Sequence, residues 1–176
     1  MIFTETELSG AYIIELEKIE DHRGFFSRIW DRKVFEEKGL DSKIIQSSIS
    51  FNKKRGTLRG MHYQIEPYEE SKLVRCTRGR IFDVIVDLRN DSKTFKNWIS
   101  VELSESNYKM LYIPKGFAHG FQTLEDNSEV YYEITEISSP EHSRGFKYDD
   151  DTIRIKWPLD VSIISQKDKE YKSFIH

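Results

Sequence analysis

Cysteine is nearly absent from these 176 residues: Cys76 stands alone. A lone thiol excludes an internal disulfide and a multi-cysteine metal centre. Long apolar runs are missing as well, so no segment suits a helix that spans a bilayer. Neither sign of charge dominates, since 27 basic and 30 acidic residues are mixed to a formal −3. That balance argues against a nucleic-acid binder and against a polybasic membrane anchor. Histidines number five and prolines four, with no Pro/Gly/Ser-rich linker between them. No leader is evident at the N-terminus. These absences predict a soluble, cytoplasmic protein folded as one domain over residues 1–176, a length that a single core can support. Cys76 itself lies in the alternating run Leu73-Val74-Arg75-Cys76 and reads as a buried structural thiol.

What the chain does contain is short β-rich runs between turn residues. The alternation predicts strands over Tyr12 to Leu16, Phe25 to Trp30, Ile44 to Ser50, Thr57 to Gln64 and Ser71 to Arg78. Further strands are predicted over Arg80 to Leu88, Trp98 to Leu103, Lys109 to Ile113, Ala118 to Thr123 and Glu129 to Glu136. So many short strands indicate a mainly β fold, a sandwich or barrel with a few short helices. Arg32 to Lys38 reads as a helix capped by Asp31 and stopped by Gly39; a turn starts near Ser104, and Lys167 to Lys172 is a short helix or tail. Gly79 marks a tight hairpin. The run from Ile81 to Leu88 is apolar on parts of both faces, which places it centrally. Asp83 and Asp87 within it lack the neighbours of a metal pair and are expected to pair with Arg75, Arg78 or Arg89.

Chemistry concentrates at residues 55–64, Arg-Gly-Thr-Leu-Arg-Gly-Met-His-Tyr-Gln. Simple alternation puts Leu58, Gly60 and His62 on one face and Arg59, Met61 and Tyr63 on the other. Bends at Gly56 and Gly60 offer a way to bring both faces to one pocket. An imidazole beside guanidinium groups suits proton transfer on an anionic substrate, because the cations hold the charge and histidine titrates near neutrality. The competing reading is a satisfied structural histidine.

Several further runs carry a resemblance. Asp21-His22-Arg23-Gly24-Phe25-Phe26, Leu58 to Gln64, Lys72-Leu73-Val74-Arg75 and Phe82 to Arg89 come first, then Ile113 to Phe121, Tyr132, Trp157-Pro158 and Ser165-Gln166-Lys167-Asp168. In order and spacing this chain resembles the cupin-fold sugar-nucleotide epimerases typified by dTDP-4-dehydrorhamnose 3,5-epimerase. The resemblance implies a cupin or jelly-roll sandwich, a nucleotide-sugar substrate, a homodimer and an isomerase that needs neither redox cofactor nor metal. It fits a deoxysugar pathway of the dTDP-rhamnose kind, feeding lipopolysaccharide or O-antigen synthesis. In a 4-keto sugar the carbonyl acidifies the hydrogens on C3 and C5, so inversion needs a base, an enolate stabiliser and an acid on the other ring face. By resemblance His62 is that base, oriented by Asp168; Lys72 faces the C4 oxygen and Tyr132 reprotonates. Arg59 and His119 then lie near sugar and diphosphate, and Arg23 reaches the nucleotide from a partner subunit. Phe26, Arg28, Gln46, Ser48 and Lys167 complete the substrate set, while Phe25, Phe26 and Ile29 supply an apolar strand for the partner. The alternative assigns Lys72 and Arg23 to solvated surface and His119 to a turn.

Metal-binding cupins use a close His-x-His pair, and Met61-His62-Tyr63 lacks it, with His176 remote at the tail. Departures from the epimerase pattern bear on the base. Where that family resembles Phe-Phe-x-Glu, this chain has Phe25-Phe26-Ser27-Arg28, and a guanidinium cannot accept from the N3 hydrogen of thymine. Ser47-Ser48 replace Asp-Asn after Gln46, and Ile137-Ser138 replace a tyrosine pair. Two alternatives therefore stand beside the 3,5-epimerase. One is a single-centre C3 or C5 epimerase acting on a CDP-linked or other non-thymidine sugar. The other is a non-catalytic cupin that binds a sugar nucleotide; a ketoisomerase of the same fold shares the first proton abstraction.

Overall fold

The computed structural model describes residues 1–174. His176 lies outside the described residues. In chain order the elements are β1 (Ile2–Glu5), β2 (Tyr12–Glu15), β3 (Ile19–Asp21), β4 (Gly24–Phe26), α1 (Arg32–Glu37), β5 (Gln46–Asn52) and β6 (Thr57–Gln64). They continue with β7 (Lys72–Arg78), β8 (Arg80–Asp87), β9 (Trp98–Ser104), β10 (Met110–Ile113) and β11 (Phe117–Thr123). The last are β12 (Ser128–Ile134), β13 (Ser143–Gly145), β14 (Ile163–Ile164) and α2 (Gln166–Glu170). Two sheets result. One has the order β1-β2-β10-β7-β12-β5, the other β13-β6-β11-β8-β9 with β14 added along β6, and β3-β4 form a separate hairpin.

Alternation explains the layering. On β7, Val74 and Cys76 point between the sheets and meet Ile81 and Ile85 of β8, with Leu111, Ile113, Phe117, Phe121 and Val130, in one buried cluster. The opposite face serves an outer layer: Leu73 of β7 and Met110 and Tyr112 of β10 pack against Phe35 of α1. On the far face, Val84, Val86 and Ala118 are covered by Phe146, Ile153 and Ile155 from the C-terminal third. Both faces of the central strands are thus buried, which is why Ile81 to Leu88 reads as nearly continuous apolar sequence. Cys76 is buried at 1 % exposure, and burial pushes its thiol up to about 12, so it is the structural group expected.

The helix is capped as predicted. Asp31 accepts from the Lys33 and Val34 backbone N–H groups, and Gly39 follows Lys38 with φ +69°. The strand expected over Phe25 to Trp30 ends early, at Phe26. Ile29 and Trp30 turn inward to pack with Phe35, so Ile29 belongs to this chain's own core rather than to an apolar strand. Alternation did not predict β1, β3, β13 or β14, each two to four residues long and too short to show a period. Ser104 opens a closed turn in which its amide donates to Asn107 Oδ1 (3.1 Å) and its Oγ accepts from the Asn107 amide (3.0 Å). No helix among the described residues is long and apolar enough to cross a membrane.

Candidate active site

β6 departs from simple alternation at its centre. His62 pairs with His119 and Arg59 with Phe121, so three steps on β6 match two on β11. That bulge swaps the phase of the strand. Arg59 and His62 therefore line the same cavity, while Met61 between them is fully buried in the outer core. The assignment of Arg59 and His62 to opposite faces is corrected accordingly. Glycine is required at this crossing. A Cβ on Gly60 would stand 2.7 Å from Gly120 Cα and 2.9 Å from the His119 carbonyl oxygen, at φ +121°.

The cavity, of about 290 Å³, opens between the two sheets and is lined by Ser48, Ser50, Arg59, His62, Lys72, His119, Gly120, Phe121, Tyr132 and Ile134. A smaller hollow of about 160 Å³ adjoins it, sharing His62, Lys72 and Ile134 and adding Gln46, Gln64, Glu70 and Ser138. Its residues come from both layers. His62 and His119 belong to one sheet, Ser48, Lys72 and Tyr132 to the other.

His62 Nε2 donates to Asp168 Oδ1 at 2.6 Å; the histidine side chain is 39 % exposed and the aspartate 5 %. Asp168 rides on α2, where Ser165 caps the helix by accepting from the Asp168 amide at 3.0 Å. Burial alone opposes ionisation of Asp168, but the hydrogen bond and charge of His62, with the Gly60 amide and Ser165, outweigh it and hold the carboxyl below the usual range. An ionised Asp168 fixes the proton of His62 on Nε2 and leaves Nδ1 as the basic nitrogen. Tyr171 lies edge-on to the imidazole with ring centroids 5.9 Å apart, and limits its rotation.

A second pair stands beside the first. His119 Nε2 donates to Asp83 Oδ1 at 2.7 Å, with Asp83 wholly buried. The expected arginine partner of Asp83 is thus replaced by a histidine: parity puts Asp83 on the inward face of β8, and His119, two residues along β11 from the Phe121 opposite it, shares that face. Asp87 does pair with Arg89, at 2.8 Å. Tyr132 packs edge-on to His119 at 6.2 Å, and burial, reinforced by the Asp83 charge, pushes its phenol well above the ordinary value. The phenol is therefore held protonated. Arg59 is steered by Asn52, whose Oδ1 accepts from its Nε at 2.7 Å. Lys72 Nζ lies 3.0 Å from Glu70 Oε1.

Gln46 lines the adjoining hollow and accepts from the Ser138 amide at 2.9 Å. Lys167 neighbours Asp168 on α2, with Nζ 5.9 Å from the Tyr171 ring centroid. Arg23, Phe26 and Arg28 are not brought to this cavity within one chain. Arg23 is 80 % exposed and pairs with Asp21; Arg28 pairs with Asp31 at 3.2 Å. Asp83 was expected beside an arginine rather than in the site, and Glu70, Ser50 and Asn52 were not anticipated. Parity offered a signal for two of them, since Glu70 is two residues from Lys72 and Asp83 alternates with Ile81 and Ile85.

The chain matches a known family in sequence and in fold. Its sequence model, described as dTDP-4-dehydrorhamnose 3,5-epimerase, matches residues 5–176. The chain belongs to the dTDP-4-dehydrorhamnose 3,5-epimerase family. A curated member from Methanothermobacter thermautotrophicus is 45 % identical over 97 % of this chain and 92 % of its own. The epimerase crystal structure from Bacillus anthracis, with TDP and PPi bound, superposes at TM-score 0.94 with 39 % identity, covering 98 % of this chain and 99 % of that one. The Legionella pneumophila epimerase in complex with dTDP-4-keto-L-rhamnose gives TM-score 0.90 and 37 % identity over 98 % and 92 %. Family membership makes the chain an isomerase of the epimerase type with the cupin-like sandwich of these relatives.

Proposed function

We propose that the protein inverts C3 and C5 of a dTDP-linked 4-keto-6-deoxyhexose without a cofactor. The observation that carries this is the placement of the His62–Asp168 dyad and Tyr132 on facing sheets around one cavity that Lys72 also lines. His62 takes the proton next to the carbonyl through the nitrogen that Asp168 leaves free, and the imidazolium is stabilised by the ionised carboxylate. Lys72 donates to the C4 oxygen, favouring enolate over ketone; one such donor is commonly worth about 3 kcal/mol of barrier. Tyr132 returns a proton from the opposite side, its raised phenol keeping it loaded. Arg59 and His119 contact sugar and diphosphate.

The exposed Phe25 and Phe26, at 39 % and 63 %, support a homodimer in which the β3-β4 hairpin delivers Arg23, Phe26 and Arg28 to a partner's nucleotide. Gln46, Ser48 and Lys167 lie on the near side of the same substrate. We place the enzyme in the cytoplasm, on a dTDP-rhamnose-like route toward lipopolysaccharide or O-antigen. Incubation with dTDP-, CDP- and GDP-linked 4-keto-6-deoxyhexoses in deuterium oxide tests the reading. Deuterium is expected at C3 and C5 with the dTDP sugar. Label at one centre alone would identify a single-centre epimerase, and no exchange with any nucleotide would overturn the proposal.

A further inference from the structure

Among the residues lining the cavity and its adjoining hollow, Glu70 is the single carboxylate, set against Arg59, Lys72 and two histidines. Glu70 and Lys72 flank Ser71 at the start of β7, and both side chains line the adjoining hollow. Ser71 anchors the backbone beneath them: its amide donates to Thr135 Oγ1 (2.9 Å) and its carbonyl accepts from the Thr135 amide (3.1 Å). The two charged side chains are 7 % and 14 % exposed with 3.0 Å between Glu70 Oε1 and Lys72 Nζ. Glu70 Oε2 is buried without a hydrogen-bond partner among the described residues. Among the described residues Lys72 is the one cation within ion-pair distance of this carboxylate, and leaving either charge alone there is costly.

We propose that Glu70 is a positioning residue, fixing the Lys72 ammonium toward the substrate carbonyl and offsetting one unit of the cavity's positive charge. This rests on the reading of Lys72 as the donor to the C4 oxygen. Length and charge then control different things. The reach of Glu70 sets where Nζ sits, which governs turnover. Its charge sets how strongly the cavity holds an anionic nucleotide.

Two variants separate these roles. Glu70→Gln keeps shape and an acceptor but removes the charge, so Lys72 is released toward the diphosphate; dTDP affinity is expected to rise about fivefold while kcat falls about tenfold or more. Glu70→Asp keeps the charge and loses a methylene, so dTDP affinity stays within about twofold while kcat again falls about tenfold. In a Lys72→Met background Glu70→Gln should cost no further deuterium exchange, since the ammonium it would position is already gone. Wild-type kcat in folded Glu70→Gln, parallel loss of affinity and kcat in both variants, or an additive loss in the Lys72→Met background would each overturn the proposal. Should Glu70→Gln fail to fold, undiminished kcat in Glu70→Asp overturns it alone. Failure of the epimerase reading is separately visible, as wild-type protein that exchanges no deuterium while dTDP affinity still responds to Glu70→Gln.

Discussion

Replacing Asp168 by asparagine tests the dyad most directly, because the amide is nearly isosteric with the carboxylate it replaces. Ser165 still caps α2 and the Gly60 amide, 3.4 Å from Oδ2, still finds an oxygen. What changes is charge and proton placement. An ion pair with centres about 4 Å apart is worth about 4 kcal/mol at an effective dielectric of about 20. His62 is 39 % exposed, so water screens the pair and about half of that, about 2 kcal/mol, is the fairer figure for imidazolium stabilisation lost. A second loss follows from the amide. If its NH2 faces Nε2, the histidine proton moves to Nδ1, the nitrogen that must accept from the sugar. Together these predict a fall of about 10²- to 10³-fold in exchange rate, with melting temperature little changed. The assay is wash-in of deuterium at C3 and C5, followed by mass spectrometry under saturating dTDP-linked substrate. Exchange within about threefold of wild type would refute the assignment of Asp168 as the group that orients and charges the base.

Tyr132→Phe should lower inversion more than exchange, since proton removal by His62 survives while delivery from the other face is lost; equal losses would remove Tyr132 as the acid. Arg28→Glu supplies an acceptor for a thymine N3 hydrogen, and is expected to shift affinity toward dTDP over CDP; an unchanged preference excludes Arg28 from base recognition. Asp87 gives an acid-stability test. Burial raises its carboxyl, but Arg89, Ser92 and Thr94 outweigh this and hold it at about 2 rather than 3.8. The depressed folded value contributes about 2 kcal/mol, present above the unfolded value and lost as pH falls through the folded one. Arg89→Met should therefore bring acid unfolding to higher pH, as followed by circular dichroism. Gly60→Ala, whose Cβ meets the Gly120 and His119 backbones, should destabilise the fold by about 2 kcal/mol or more in urea melts.

Much of the architecture was legible in local pattern. Strands such as Thr57 to Gln64 are long enough for period two to register, and the Asp31 cap with Gly39 brackets α1 within a residue. The three-residue hairpin strands and β14 carry no period to read, and their pairing comes from neighbours remote in sequence. His62, Lys72, Tyr132, Arg59 and His119 were picked out by composition and resemblance, and all five meet in one cavity. Asp83 and Glu70 were misjudged or passed over for one reason. A carboxylate in a strand declares its face through parity but not its partner, and arginines nearby in sequence are not the groups nearest in space.

By itself the sequence determined the β-sandwich, the single buried thiol, the absence of a long apolar span and the balanced charge. It did so because each depends on residue type, period or composition, which are local quantities. Tertiary structure alone decided that Arg59 and His62 share a face, since that follows from a bulge in which β6 spends three residues against two of β11. It alone paired His119 with Asp83 and Lys72 with Glu70, and set Tyr132 across from His62. Hydrogen bonds and charge pairs act over a few ångströms, and only the register of strands far apart in the chain fixes which groups come within that reach.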